Sequence, residues 1–400
     1  MKKIQLLGWS LVIGLCVWAG RNTYHYFLDK NCPEVLVSGV ENDHYYAGDI
    51  SCVVNGSHSY KVGKISVFLD GTPLIYNFSI NKSSFEKPFS INTRTLTNGK
   101  HDLKIGLIDG TYHKNKVEKD IVFHVDNAPL QAAFVKQNPD IKVFQGRTVM
   151  LQFQVSKGLK EAKVQVFSKA FTCVPEKPGS LIYEAYIPVD CEETPNEYVF
   201  AVSCIDQVDN VVTLEGKVQV VPFPFKKGNL VVSDDYIAQQ KELGLSHNLL
   251  NEQLFALSQK SPQEKLWQGQ FCTPTDVLRV ATEFGVIRTT TARGRYAHKA
   301  VDIVNHPRSV IWAPQDGVVV IKERYEFSGN TVVLDHGCGI FSLLYHLDSF
   351  APDIEVGTHV KKGNPVGKLG KTGYANGYHL HWEMRIGDVA IDPFEWAKCA

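Results

Sequence analysis

Most of the chain consists of short stretches in which apolar and polar residues alternate and which end at tight-turn sequences. Residues 60–69 alternate, Asp70-Gly71 follows, and the alternation resumes over residues 74–80. An Asp-Gly pair between two alternating runs predicts a β-hairpin, because both residues tolerate the positive φ angles of such a turn. The same kind of pair recurs at Asn98-Gly99 and Asp109-Gly110. We therefore predict a mainly β protein.

Two consecutive segments carry this pattern without any chemical constellation. Residues 30–127 and residues 128–222 each contain several short predicted strands at close spacing, which is typical of an immunoglobulin-like β-sandwich. The second segment contains no histidine. We expect two spacer or binding modules of this type, and the sequence does not identify a ligand for either. The strands predicted for the second module are residues 148–155, 162–168, 197–206 and 211–221.

Length and charge restrict the functional class only loosely. A chain of 400 residues is too long for one ordinary domain, so we predict two to four domains. The formal net charge is zero, with 42 basic and 42 acidic residues. A balanced charge gives no reason to expect nucleic acid or an anionic surface as a partner.

The first 22 residues differ from a globular sequence. Lys2 and Lys3 precede an apolar run over residues 4–20 that contains no charged residue, and Arg21 follows. A basic start before such a run is typical of an export signal, and the run is long for a signal-peptide core and short for a membrane span. Residues 1–22 are therefore either a cleaved signal peptide or an uncleaved anchor. In both cases we expect an exported protein of the periplasm or cell envelope, held in the inner membrane if the segment is retained.

The cysteines suggest an oxidising compartment. Apart from Cys16 there are eight, and an even number in an exported chain predicts disulfide bonds. The absence of a Cys-x-x-Cys pair argues against a thiolate zinc site or a redox motif. We expect a local bond between Cys32 and Cys52 and a bond between Cys272 and Cys399 that joins the ends of the last domain.

A change in composition separates these modules from the rest of the chain. The segment 222–228 is rich in proline and lysine, and the alternation stops after it. Ser261, Pro262 and Glu264 have the spacing of a capping serine, a first-turn proline and a third-position glutamate. We predict a helical connector over residues 223–270 that packs on or over the following domain, and a second β-rich region over residues 271–400.

Histidines concentrate in this last region, where seven of the fourteen lie between His298 and His381. His379 and His381 are two apart, so in an extended strand they point to the same side. His298 and Asp302, four apart, add one nitrogen and one oxygen donor. With one histidine of the pair, this set leaves a fourth tetrahedral position open, as in catalytic zinc sites. The other histidine of the pair and His346 would then serve acid–base chemistry.

With these motifs, the sequence from Trp267 to Trp396 resembles the lysostaphin/LytM-type zinc metallopeptidases, which cleave peptide bonds in bacterial peptidoglycan. The His-x-x-x-Asp motif at residues 298–302, the central His346 and the His-x-His motif at residues 379–381 follow the order and spacing of that family. Ala300 and Tyr378 replace its usual glycine and proline, and neither change removes a ligand.

The resemblance implies one Zn²⁺ per chain, bound by His298, Asp302 and His381. It implies that His346 and His379 are catalytic residues that orient or deprotonate a metal-activated water and stabilise the oxyanion. It further implies an antiparallel β-rich LytM-like domain over residues 271–400 and the peptide stems of peptidoglycan as substrate. Residues that could line the groove are Tyr325, Phe327 and Asn330.

Two other functions remain open at this stage. A non-catalytic LytM-like regulator would bind the cell wall or activate a cell-wall amidase, but such regulators lose metal ligands, whereas all five positions are filled here. An adhesin would use the β-modules for binding and the last domain as a wall anchor. Among the remaining histidines, we interpret His336 as structural and His306 and His359 as surface residues.

Overall fold

The computed structural model describes residues 2–136, 140–229, 249–290 and 294–397. These residues form a mainly β structure, as the alternation predicts. The chain divides into two units: Met1–Pro129 with Gln207–Asn210, and Leu130–Asp206 with Val211–Ala400. The described helices are α1 (Lys2–Leu28), α2 (residues 249–258) and the single turn α3 (Pro393–Trp396).

Helix α1 continues beyond the 22 residues that the apolar run predicts. Its C-terminal end contacts the first β-module, where the backbone N–H of Tyr112 donates to the carbonyl of Tyr26 at 2.9 Å. The carboxylate of Asp29, just after the helix, accepts hydrogen bonds from the Asn31 amide and the Ser59 hydroxyl. Among the described residues, no helix is both long enough and apolar enough to span a membrane.

The first module is a six-stranded sheet with the order β1-β3-β5-β6-β2, in which β4 pairs with β3. The predicted turn is confirmed, since Asp70 and Gly71 have φ angles of 49° and 76°. The two strands of this hairpin are much longer than the alternation indicates, because bulges in β3 and β4 interrupt the alternation without ending the ladder. The strands are β1 (Glu34–Ser38), β2 (Tyr45–Tyr46), β3 (Asp49–Leu69), β4 (Thr72–Asn92), β5 (Gly99–Asp109) and β6 (Lys116–Val125).

The second module contains two sheets that share one hydrophobic core, with Phe153, Val164 and Phe200 at its centre. Three of the four strands predicted for this module are observed with the predicted bounds. The fourth, predicted over residues 162–168, is observed over Leu159–Val166. The immunoglobulin-like assignment of both modules stays a prediction. The strands are β7 (Ala132–Phe134), β8 (Asp140–Phe144), β9 (Thr148–Val155), β10 (Leu159–Val166), β11 (Lys169–Thr172), β12 (Val174–Pro175), β13 (Ile182–Pro188), β14 (Glu197–Asp206) and β15 (Val211–Val221).

The C-terminal region is organised around an eight-stranded sheet with the order β17-β20-β28-β24-β23-β22-β26, in which β29 pairs with β28. Trp382 and Leu344 are fully buried in its core. The strands are β16 (Lys227–Asn229), β17 (Arg279–Thr282), β18 (Ile287–Thr290), β19 (Gly294–Ala297), β20 (Val301–Val304), β21 (Val310–Trp312), β22 (Gly317–Tyr325), β23 (Gly329–Asp335), β24 (Ile340–Leu347), β25 (Ser349–Phe350), β26 (His359–Val360), β27 (Pro365–Lys368), β28 (Leu380–Ile386) and β29 (Val389–Ile391).

The second module and the C-terminal region belong to one unit and are joined by polar contacts. Arg147 and Asp392 form an ion pair of 2.7 Å. Thr148 donates its backbone N–H to Glu395 at 2.9 Å and accepts a hydrogen bond from the Trp396 indole at 3.0 Å. The turn of helix α3 is therefore attached to the start of β9.

The connector is helical only in part. Helix α2 buries Leu250 and Leu254 against strands of the eight-stranded sheet, so the predicted packing on the next domain is confirmed. The prediction that a helix starts at residues 261–264 is wrong. Ser261 is buried, donates its hydroxyl to Asp335 and accepts from the Gly339 amide. The Pro262 carbonyl likewise accepts from Cys338, so these polar groups bind a β-turn instead of starting a helix. A second capping pattern, at Ser233, Asp234 and Asp235, predicts another helix start in the connector, and it lies outside the described residues.

The cysteine predictions are not supported. All eight described cysteines are free thiols. The predicted bond between Cys32 and Cys52 is absent, because the pairing of β1 with β3 places Glu34 opposite Ser57 and Ser38 opposite Val53, which puts the two cysteines at opposite ends of β1. Cys399 lies outside the described residues, and so does its predicted bond to Cys272.

Candidate metal centre

Strand register brings the first two site residues together. In the antiparallel pair of β20 and β28, Asp302 lies directly opposite His381. In the pair of β28 and β24, His381 lies opposite Tyr345. Directly opposed side chains on one face of a sheet are neighbours. Two residues 79 positions apart in sequence are thus placed side by side by the backbone ladder alone.

Two imidazole rings converge on one carboxylate oxygen. Asp302 Oδ1 lies 3.3 Å from His298 Nε2 and 2.9 Å from His381 Nδ1. One potential ligand atom from each of these three residues lies within 4.8 Å of the others. Two imidazole nitrogens and one carboxylate oxygen are the donors found in catalytic zinc sites, and this donor set fits a divalent metal.

The orientation of the His298 ring supports this fit. Its Nδ1 lies 3.2 Å from the carbonyl oxygen of Glu283, which can only accept, so Nδ1 carries the proton. The second ring nitrogen, Nε2, faces Asp302. Metal-binding histidines are commonly oriented in this way, by a hydrogen bond from the second ring nitrogen.

The charge state of the cluster also suits metal binding. Burial alone would raise the pKa of Asp302, but the neighbouring rings of His298 and His381 outweigh it and hold the pKa far below its usual range. Burial lowers the pKa of His381, although the charged carboxylate of Asp302 acts in the opposite direction. A charged carboxylate and neutral imidazoles are the forms that bind a metal ion.

His379 lies one residue before β28 and faces the same cluster as His381, as the spacing of the pair predicts. Its Nε2 is 3.9 Å from Asp302 Oδ1, a full ångström further than His381 Nδ1. Its Nδ1 donates to the Gly377 carbonyl at 2.9 Å, which leaves Nε2 as the proton-accepting nitrogen. The two histidines of the pair therefore differ in distance from the carboxylate.

His346 reaches the cluster through an unusual backbone conformation. In a regular strand it would face away from the side of the sheet that Tyr345 occupies. Its φ angle is 63°, in the left-handed region that non-glycine residues rarely adopt, and its ring centroid lies 4.9 Å from that of His379. Residues held in such conformations cluster at functional sites. This backbone conformation places two consecutive residues, Tyr345 and His346, at one site.

The ring of His346 is oriented and uncharged. Nδ1 donates to the Thr372 carbonyl at 2.9 Å, so Nε2 is left to accept a proton. Burial, together with the nearby rings of His381 and His379, lowers the pKa of His346 to about 3. The structure thus brings together all five residues that the motifs indicate.

Three further residues near the site were missed by the sequence reasoning. The ring of Tyr345 stacks on His381, and its hydroxyl lies 3.4 Å from Glu383 Oε2. Glu383 is buried and paired with the equally buried Arg385. The available signal was the alternation of residues 381, 383 and 385, which places three polar side chains on one face of β28.

A cavity of about 870 Å³ opens over the cluster. Phe327 lines it, as predicted. The predictions for Tyr325 and Asn330 are wrong, because Tyr325 is buried against α2, where its hydroxyl bonds Gln253, and Asn330 donates to the carbonyls of residues 347 and 348. Other residues that line the cavity are Phe255, Arg279, Arg288, Tyr296, Tyr374 and Tyr378.

The remaining histidines have the roles that the sequence indicates. His336 is fully buried and bonds the Asp316 carbonyl and the Ser342 hydroxyl, and burial lowers its pKa to about 4. His306 and His359 are exposed. The structural interpretation of His336 and the surface interpretation of the other two are confirmed.

Comparisons with known proteins match part of this region to a known family. Residues 296–393 match the model of Peptidase family M23. The chain is 33% identical over 122 residues to the peptidoglycan DD-endopeptidase ShyC of Vibrio cholerae, a match that covers 30% of this chain and 28% of ShyC. It is 34% identical over 118 residues to an uncharacterised metalloprotease of Haemophilus influenzae, which covers 29% of this chain and 24% of that protein.

The sequence similarity to these two relatives is confined to one part of each protein. The chain spans about a quarter of the length of these curated relatives. The catalytic domain of lysostaphin from Staphylococcus simulans superposes with a TM-score of 0.27 at 25% identity, over 30% of this chain and 92% of that domain. The matched residues contain all five clustered side chains. Residues 296–393 form a domain of peptidase family M23.

Proposed function

We propose that this protein is a zinc-dependent endopeptidase that hydrolyses peptide cross-links of bacterial peptidoglycan. One observation carries the proposal. Nitrogen atoms of His298 and His381 meet at Asp302 Oδ1, and two further histidines with accepting nitrogens lie beside them. A structural site would have four protein ligands, whereas this set supplies three and keeps accepting groups next to the remaining position.

We assign the metal to His298 Nε2, Asp302 Oδ1 and His381 Nδ1, the atoms that converge. When bound, zinc supplies a Lewis acid that polarises the scissile carbonyl and lowers the pKa of water. The hydrogen bond from His298 to Glu283 and the stacking of Tyr345 on His381 keep the ligand rings in place.

His346 and His379 are assigned to proton transfer. Each donates its Nδ1 proton to a backbone carbonyl and presents Nε2 as an acceptor. A base of this kind removes the proton from the attacking water and later returns it to the leaving amine. The protonated ring would also stabilise negative charge that develops on the carbonyl oxygen.

The proposed substrate and compartment are supported by a relative's name and by the N-terminal sequence. ShyC is named as a peptidoglycan DD-endopeptidase, so we assign peptidoglycan peptide stems to this chain as substrate. Peptidoglycan lies outside the cytoplasmic membrane, and the basic, apolar residues 1–22 fit export as a signal peptide. The β-modules would act as immunoglobulin-like spacers that hold the peptidase domain towards the wall.

The test uses the full chain with purified peptidoglycan. Soluble peptide fragments are separated and weighed by mass spectrometry after incubation with protein, with chelator, and with chelator followed by zinc. We expect release of cross-link fragments, loss of release with chelator and recovery with zinc. His346→Ala should abolish release, and His359→Ala, an exposed histidine of the same domain, should leave it intact.

A non-catalytic regulator would give the opposite result. It would bind the wall but release no fragments under any metal condition, and His346→Ala would change nothing. Fragments that persist in chelator would also contradict the proposal, since zinc would then be dispensable.

A further inference from the structure

The cavity over the metal centre carries two arginines whose charge the proposed chemistry does not use. Arg279 on β17 and Arg288 on β18 both line it, with the small side chain of Ala281 also on its wall. Two guanidinium groups that line one substrate cavity favour an anionic ligand, and arginine binds carboxylates with two parallel hydrogen bonds.

Arg288 is close to the reacting centre. Its Nη2 lies 4.0 Å from Asp302 Oδ2, the carboxylate oxygen that does not meet the histidine nitrogens. The same nitrogen donates to the Thr282 hydroxyl at 2.9 Å, which holds the guanidinium at the wall. When Asp302 binds a metal ion, its charge is largely neutralised by that ion. The guanidinium group of Arg288 then has N–H donors left for a group bound beside the metal.

Arg279 is exposed, and within the described residues it has no recorded hydrogen bond or ion pair. Lys299, the neighbouring cation of the cavity, differs from it. Lys299 is paired with Asp190 at 3.3 Å and with Glu192 at 3.8 Å. Among the described residues, the two arginines therefore differ from Lys299 in having no ion-pair partner outside the assigned metal cluster.

We propose that Arg279 and Arg288 form a subsite for a carboxylate of the peptide substrate, next to the bond that is cut. The proposal rests on the proposed endopeptidase function and adds a specificity to it. Stem peptides carry free carboxylates, and a peptide whose nearby carboxylate is amidated has lost the partner of both arginines. The enzyme should therefore select the free acid over the amide.

The experiment compares a synthetic cross-linked stem-peptide dimer with free carboxylates to the same dimer amidated beside the scissile bond. For the full-length protein with zinc, we expect kcat/KM for the free acid to exceed that for the amide by about 10–100-fold, mainly through KM. Arg288→Gln and Arg279→Gln should each reduce this preference, and the double variant should remove it. Arg324→Gln, an exposed arginine of β22, serves as the matched control.

Two further measurements separate substrate binding by the arginines from an indirect effect of Arg288 on the metal ligand Asp302. Calorimetric binding of both dimers to the His346→Ala variant reports the preference without cleavage, and zinc affinity of Arg288→Gln reports a role in holding Asp302. The subsite proposal would be overturned if the double variant kept the preference for the free acid, or if the wild type showed no such preference. Either result would leave the proposed hydrolysis untouched. Failure to cleave either dimer, with the binding preference intact, would count against the proposed function alone.

Discussion

The ring of Tyr345 lies almost parallel to the ring of His381, with centroids 5.0 Å apart and an angle of 8° between the planes. Tyr345 is 1% exposed and contacts Glu383, which is paired with Arg385. Arg385 in turn donates to Asn251 of helix α2 at 2.9 Å. The assigned ligand His381 thus rests on a buried side chain that the connector helix helps to hold.

Replacing this support should weaken metal binding. Tyr345→Leu removes the flat face against His381, so the imidazole gains freedom that zinc must restrict. Changes in groups that orient metal ligands typically cost about 10–100-fold in affinity, and we expect a loss of that order. Competition with a chromophoric chelator measures it.

Tyr345→Phe is the matched control, since it keeps the ring and loses only the 3.4 Å contact with Glu383. Its zinc affinity should stay within about threefold of wild type, because Glu383 retains its pairing with Arg385. Equal losses in the phenylalanine and leucine variants would show that stacking is not what holds His381.

Helix α2 should be an integral part of the second unit. Leu250 is 1% exposed and packs in a cluster with Phe341 and Tyr345, whereas the adjacent Leu249 is 51% exposed. Leu250→Ala should lower the free energy of unfolding by about 2–5 kcal/mol, or open the helix locally. Leu249→Ala should cost less than about 0.5 kcal/mol.

Denaturant unfolding and amide exchange over residues 249–258 together detect either outcome. Similar small effects of the two substitutions would mean that α2 detaches readily, and that its contacts contribute little to the site.

The ion pair between Arg147 and Asp392 should stabilise the contact between the second module and the peptidase domain. Both side chains are largely buried, and Arg147 also lies over the ring of Phe223 at 5.1 Å. Arg147→Ala leaves the carboxylate without its cation and should cost about 1–3 kcal/mol. Lys226→Ala removes the exposed pair with Glu283 and should cost about 0–1 kcal/mol. Thermal unfolding of both variants checks this, and equal shifts would contradict it.

Local patterns in the sequence were sufficient for much of the fold. Strands Thr148–Val155 and Glu197–Asp206 have the bounds that alternation predicts, because one face of each is buried. Alternation could not predict the 21-residue strands β3 and β4. Their bulges break the period of two while partners from other strands continue the hydrogen-bond ladder.

The residues of the candidate site could be identified from motif spacing, but their arrangement could not. That Asp302 faces His381 depends on the pairing of β20 with β28, which is a tertiary property. The left-handed φ angle of His346 has no local signal. Ser261 matches a helix-cap pattern in the local sequence, but its hydroxyl bonds Asp335, which lies 74 residues away and cannot be identified from local sequence. In each case a distant contact decided the outcome.

The division of labour between His381 and His379 is the centre of the proposed mechanism, and the structure separates them by their distances of 2.9 and 3.9 Å from Asp302 Oδ1. The most direct test is the zinc content of two purified variants, measured by mass spectrometry of the metal together with the rate of peptidoglycan cleavage. His381→Ala should lose both zinc and cleavage. His379→Ala should retain about one zinc per chain and lose cleavage by about 100-fold or more. Loss of zinc in His379→Ala with retention in His381→Ala would contradict the account.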